Sequence, residues 1–130
     1  MYIENNIKYL FALSLLMACF ISCQQNIKIV GFEHEKWKND KQACLSVRKA
    51  IFPELMKNKD LLKGYDEKAI AAYLGKPDET ELYSRNQKFF IYYIEPAKQC
   101  TDPNNSERPK SLFIRFSALN VSNEIFVKGE

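Results

Sequence analysis

Histidine is almost missing from this 130-residue chain: His34 is the only one. The four cysteines stand singly at 19, 23, 44 and 100, with no Cys-x-x-Cys pair. One imidazole and no cysteine cluster leave a zinc site short of ligands, so no metal is expected. The same poverty bears on catalysis. A cysteine nucleophile needs a positioned base, and His34 is remote in sequence from both Cys44 and Cys100. Asp66, Glu67, Asp78, Glu79 and Glu81, with Ser84 or Ser111, are residue types that a small hydrolase uses. They fall, however, at expected helix caps and turns, where capping accounts for them, and no acid–base constellation is legible. The chain reads as non-enzymatic and without a cofactor. A surplus of one charge sign is also lacking: 19 basic against 16 acidic residues leave +3. Lys and Arg alternate with Asp and Glu, which describes a solvated surface and excludes a nucleic-acid stripe. There is no internal repeat, and no low-complexity tract beyond the loop "PAKQCTDPNNSERPK".

What is present begins with Tyr9 to Ser22, YLFALSLLMACFIS, fourteen positions without a charge. Lys8 precedes it, Glu4 stands further out, and small residues end it, which is the layout of a secretory signal. The run falls short of the roughly 20 apolar residues that a membrane span needs. Its ending, "FISC" or "LMAC", resembles the lipobox of bacterial lipoproteins, in which the cysteine receives a diacylglycerol and becomes the first mature residue. Leu16 and Ala18 give Cys19 the better upstream match. Cys23 has Ser22 before it and polar Gln24-Gln25 after it, and is the preferred acceptor, with Cys19 the alternative. The expected organisation is a signal over 1–22, a flexible tether over 23–36 and one domain over 37–130. The lipid would tether the product to a membrane without crossing it.

Past the tether, Asn39 or Asp40 can cap a helix through "KQACLSVRKAIFPELMKNK". Ala43, Cys44, Val47, Ile51, Leu55 and Met56 recur at three- and four-residue spacing and form one apolar face. Pro53 should kink that helix or start another. Asp66 caps a shorter helix, "EKAIAAYL", which Gly75 and Pro77 end. The period then switches from 3.6 to 2. "ELYSR" and "KFFIYYIEP" flank a turn at Asn86-Gln87, "SLFIRFSA" alternates, Leu119-Asn120 turns, and "EIFVK" follows. The predicted fold is α+β in the order ααββββ. Two N-terminal helices cover one face of a three- to four-stranded antiparallel meander.

Cys44 and Cys100 form an even pair. In an exported protein such a pair is readily a disulfide, closing a loop worth roughly 4 kcal/mol in the chain-entropy account; otherwise they are two separate thiols. Trp37, with Asp40 three residues on, reads as a staple whose indole N–H needs an acceptor.

"AIAAYLGKPDETELY", a short helix ending in Leu74-Gly75-Lys76-Pro77-Asp78 and feeding a hairpin, resembles the SmpA/OmlA (BamE-like) lipoprotein domain. That resemblance implies helices before an antiparallel sheet, the two-layer shape shared with related inhibitor-type modules. A wider set of residues is similar to uncharacterised envelope lipoproteins of Bacteroidota-type bacteria. It comprises Trp37, Asp40, Cys44, Arg48, residues 74–78, Arg85-Asn86-Gln87-Lys88-Phe89, Tyr92-Tyr93 and Cys100. These resemblances imply an envelope protein, outer-membrane bound and facing the periplasm, that works by protein contact. The helix-free face of the sheet is then the partner surface. It carries either Phe89, Ile91 and Tyr93 or Phe90, Tyr92 and Ile94, and Tyr83, Tyr92, Tyr93, Phe113 and Arg115 are its candidate residues. Aromatics with an Arg are the types that dominate interface energetics. The alternative function is an inhibitor or immunity-type protein binding a secreted enzyme through the same surface.

Overall fold

The computed structural model of the chain describes residues 2–17 and 26–129. Both candidate lipid acceptors, Cys19 and Cys23, lie outside the described residues. The apolar leader forms helix α1 (Tyr2–Met17), whose side chains from Ile3 to Phe11 are exposed. Among the described residues no helix is long and apolar enough to cross a membrane. The body that follows is α+β, with a four-stranded antiparallel sheet in the order β1-β2-β3-β4. Its strands are β1 (Glu79–Tyr83), β2 (Gln87–Tyr93), β3 (Ser111–Phe116) and β4 (Ser122–Lys128).

Alternation along each strand sets the two faces. Phe90 and Tyr92 of β2 share a face with Leu112, Ile114 and Phe116 of β3 and Ile125 of β4, and these enter the main core. Helices cover that face. The last, α4 (Glu67–Leu74), behaves as its sequence demands. The Asp66 carboxylate accepts the Ala69 N–H at 2.8 Å, Ile70 and Leu74 are buried, and Gly75 leaves the helix at φ +84°. Between β1 and β2 the turn residues are Arg85 and Asn86, both left-handed at φ 58° and 59°, and Gln87 already belongs to β2. Two positive φ values in a row are the type I′ pattern that matches strand twist. The turn is thus one residue earlier than the expected Asn86-Gln87.

Three expectations for the front half need correction. The tether over 23–36 is not free from residue 26 onward: Ile27, Ile29 and Phe32 are buried in the core, and the Ile29 N–H donates to the Tyr73 hydroxyl at 3.1 Å. Their spacing is too irregular to signal a helix or strand, so only tertiary packing reveals them. A helix not foreseen, α2 (His34–Asn39), follows at once and buries Trp37. The long helix predicted from residue 41 is also broken. Lys41–Ala43 make a single tight turn, with Gln42, Ala43 and Ser46 left-handed, and helix α3 spans Val47–Lys57. Asp40 is the cause. Instead of capping a helix at 41, its carboxylate accepts the Leu45 N–H and the Arg48 N–H, both at 2.8 Å, folding the chain around itself. Pro53 is exposed within α3, which runs on through it.

The sheet's margins differ. Along β4, Gly64 N–H donates to the Ser122 carbonyl and Ser122 N–H to the Tyr65 carbonyl, each at 2.8 Å. Among the described residues no strand pairs with the far side of β1.

Candidate functional site: the outer face of the sheet

The helix-free face is read off the register. Glu79 of β1 lies across from Ile91, Ile91 from Phe113, and Phe113 from Phe126. One row nearer the hairpin turn, Glu81, Phe89, Arg115 and Glu124 line up in the same way. Residues directly opposite in antiparallel strands project to the same side, so the outer face carries an aromatic cluster framed by charges. Phe113 and Phe126 stack at 5.3 Å between ring centres, and Phe89 meets both edge-on at 6.0 Å. Tyr83 continues the strip, its ring 5.7 Å from Phe89.

At the turn end of this strip Arg115 is held in place from three sides. It lies over the Tyr83 ring at 5.7 Å, donates to Gln87 Oε1 at 2.7 Å through Nε, and pairs with Glu124 at 3.0 Å. At the other end the long loop returns Arg108 to the sheet. Arg108 grips Glu79 with Nε and NH2, reaches Glu81 at 3.2 Å, and lies 5.4 Å over the Phe113 ring. Lys128 lies over the same ring at 5.1 Å. These two cations roof Phe113, which is why it is only 2% exposed although no helix among the described residues covers it. The hydrogen bond from Arg108, opposed by partial desolvation and reinforced by the Tyr93 hydroxyl, holds the Glu79 carboxyl below the ordinary range. Desolvation, then the hydrogen bond to Glu79, pushes the Tyr93 phenol up.

The five candidate residues divide accordingly. Tyr83, Tyr93, Phe113 and Arg115 share the outer face, with Tyr83 53% exposed and Arg115 half-buried. Tyr92 does not. It is fully buried on the helix side, and its hydroxyl donates to the Gly75 carbonyl at 2.8 Å. Adjacent residues of one strand cannot both face outward, and the helices take the even-numbered set. Of the two sets foreseen for this face, it is Phe89, Ile91 and Tyr93 that look outward; Phe126, Arg108 and Lys128 complete the surface and were not expected there. Arg115 was the available clue for choosing the Phe89 set, since a charged residue in β3 marks the wetter face, but matching the two strands needs the register.

Beneath the helix side lies a second polar cluster. Arg48, almost wholly buried, pairs with Asp78 at 2.5 Å, donates to the Trp37 and Tyr93 carbonyls, and lies 5.0 Å over the Trp37 ring. Asp78 also accepts the Gln42 and Tyr93 N–H groups. The Arg48 guanidinium and the Asp78 carboxylate are bound there to backbone groups and to each other. Trp37 is the expected staple, but among the described residues its indole N–H has no acceptor. His34 stacks on Tyr73 at 4.6 Å. Cys44 and Cys100 stand in disulfide geometry, with Cα atoms 5.6 Å apart, and pin the loop of Arg108 to the turn before α3.

Comparison of the chain with known protein families, curated proteins and solved structures gave no match.

Proposed function

We propose that this chain is a lipid-anchored protein of a bacterial envelope that works by docking a protein partner on the outer face of its sheet, without chemistry of its own. The observation that carries this reading is the strip Tyr83–Phe89–Phe126 with Arg115 fixed beside it. It is an aromatic surface, uncovered by helices and rimmed by Arg115, Glu124, Arg108 and Glu79. Aromatics and arginine recur as the anchors of interfaces, inside a polar rim. Preordered side chains also lose less entropy on binding, and Arg115 is already held by Gln87 and Glu124. The apolar leader and the lipobox-like ending at Cys23 support the anchored location, in an outer membrane with the body in the periplasm.

The test is crosslinking and pull-down of the acylated protein from its native envelope, with Tyr83→Ala and Arg115→Ala combined. Expected is loss of the co-purifying protein with the melting temperature nearly unchanged. A fall in stability with the same proteins retained would make the strip merely a minor core. A stable one-to-one complex with a secreted enzyme would turn the reading to an inhibitor.

A further inference from the structure

The folded body starts close behind the proposed lipid. Ile27 is already in the core, and only Gln24, Gln25 and Asn26 separate it from Cys23. A chain spans at most about 3.3–3.6 Å per residue, so the four steps from Cys23 to Ile27 reach no more than ~14 Å. A domain of this size is about twice that across. An acyl chain at Cys23 therefore cannot leave the body free to tumble. It presses against the bilayer whatever surrounds the entry of residues 26–33.

That surroundings is the helix layer. Phe32 packs on Trp37 and Tyr73, Ile29 bonds Tyr73 of α4, and Gly31 lies against Glu54 of α3. Val30 projects there, 82% exposed. The carboxylates nearby are occupied: Glu33 pairs with Lys36, Glu35 with Lys38 and Glu54 with Lys57, while Asp66 caps α4. Lys28 beside Val30, Lys68 on α4 and Lys76 just past its end are exposed and pair with no carboxylate among the described residues. One exposed aliphatic tip among surplus lysines is complementary to anionic headgroups.

We propose that the Lys28–Val30 segment and the solvent side of α4 form a bilayer-docking surface for anionic lipid, which turns the outer face of the sheet away from the membrane toward the partner. This rests on lipidation at Cys23 in the reading above. Each basic residue at such a surface is worth about fivefold in membrane affinity at moderate salt.

The test uses the full-length acylated protein in phosphatidylethanolamine vesicles containing about a quarter phosphatidylglycerol. A fluorophore is placed at Val30→Cys or at Glu124→Cys on the outer face, and a headgroup-attached quencher reports proximity. Expected is several-fold stronger quenching at position 30. A flexible Gly/Ser insert of about ten residues between Asn26 and Ile27 should erase the difference. Lys28→Glu, Lys68→Glu and Lys76→Glu combined should reduce it, with melting curves checking that each variant is folded. Equal quenching at both positions in a protein shown by mass to be acylated at Cys23 overturns the orientation and leaves the anchor standing. A protein without acyl mass that fails to float with vesicles removes both.

Discussion

Asp78 and Glu79 are neighbours in the chain, as are Tyr92 and Tyr93, and strand alternation sends one of each to either side of the sheet. Each side then completes the same set. Below, Arg48 joins Asp78 and lies over Trp37 and Tyr92. Above, Arg108 joins Glu79, Tyr93 donates to that Glu79, and the arginine lies over Phe113. An arginine, a carboxylate, a tyrosine and an aromatic ring occur twice, within a few ångströms of sheet thickness. The lower set is shut in by helices and spends its hydrogen bonds on backbone groups and on the Arg48–Asp78 pair itself. The upper set keeps about a third of its arginine and carboxylate surface in water. Residue chemistry alone does not separate a structural cluster from an available one; what covers it does.

The largest expected break in the symmetry is Arg48→Ala. It strands the Asp78 carboxylate in the interior, a loss of up to about 5 kcal/mol, read as a fall in the urea midpoint. The matching Arg108→Ala should cost under about 1 kcal/mol. Equal losses would mean that the upper pair is as structural as the lower. Next comes the Cys44–Cys100 bond, which ties the loop of the upper arginine to the turn beside the lower one. Cys44→Ser with Cys100→Ser should lower stability by about 4 kcal/mol or somewhat less, from loop closure. It should also broaden the NMR signals of residues 96–108 while leaving those of β2 and β3 sharp.

Smaller again is the tyrosine pair. Tyr92→Phe leaves the Gly75 carbonyl without its donor and should cost about 1–2 kcal/mol, against less than about 1 for Tyr93→Phe. Burial raises the Tyr92 phenol far above its ordinary 10.0. A group whose folded pKa is raised contributes stability below its unfolded value and loses it as pH climbs past that value. The melting temperature of the native protein should accordingly fall above pH 10.0, and that of Tyr92→Phe should fall less steeply. The smallest effect is the acid limb of Glu79. Its folded pKa is depressed, chiefly by Arg108, so its contribution is complete above the ordinary 4.5 and fades as pH drops below it. The difference between native protein and Arg108→Ala should shrink as pH falls below 4.5 and through the depressed folded value, and a difference that does not shrink would place the role of Arg108 in packing on Phe113 instead.

Much of the sheet half was legible because its signals are local. Asp66 at an N-cap, Gly75 then Pro77 at a helix end, Asn120 in a turn and period-2 alternation each act within a few residues, and α4 and all four strands follow from them. The helical half resisted because its determinants are distant. Asp40 bends the chain by reaching forward to Leu45 and Arg48, and Gln42 is held by Asp78, thirty-six residues on. Ile27, Ile29 and Phe32 count as core only once α4 supplies Tyr73. The outer face was half legible: Phe113 and Arg115 belong together by parity. Tyr92 could be assigned to the other side only after the helices had chosen one.

The sheet ends differently on its two flanks, and that asymmetry has a colloidal consequence. The β4 flank is closed by the chain's own segment around Gly64 and Tyr65. Among the described residues the β1 flank has no pairing strand, with Leu82 80% exposed alongside. Its guard is the net negative charge left where Glu79 and Glu81 share the single Arg108, the device by which unpaired strands repel copies of themselves. Such a guard is lifted by protons and muted by salt. In acidic, concentrated solution this protein should therefore assemble flank to flank while each copy is still folded, and Leu82→Lys should keep it dispersed.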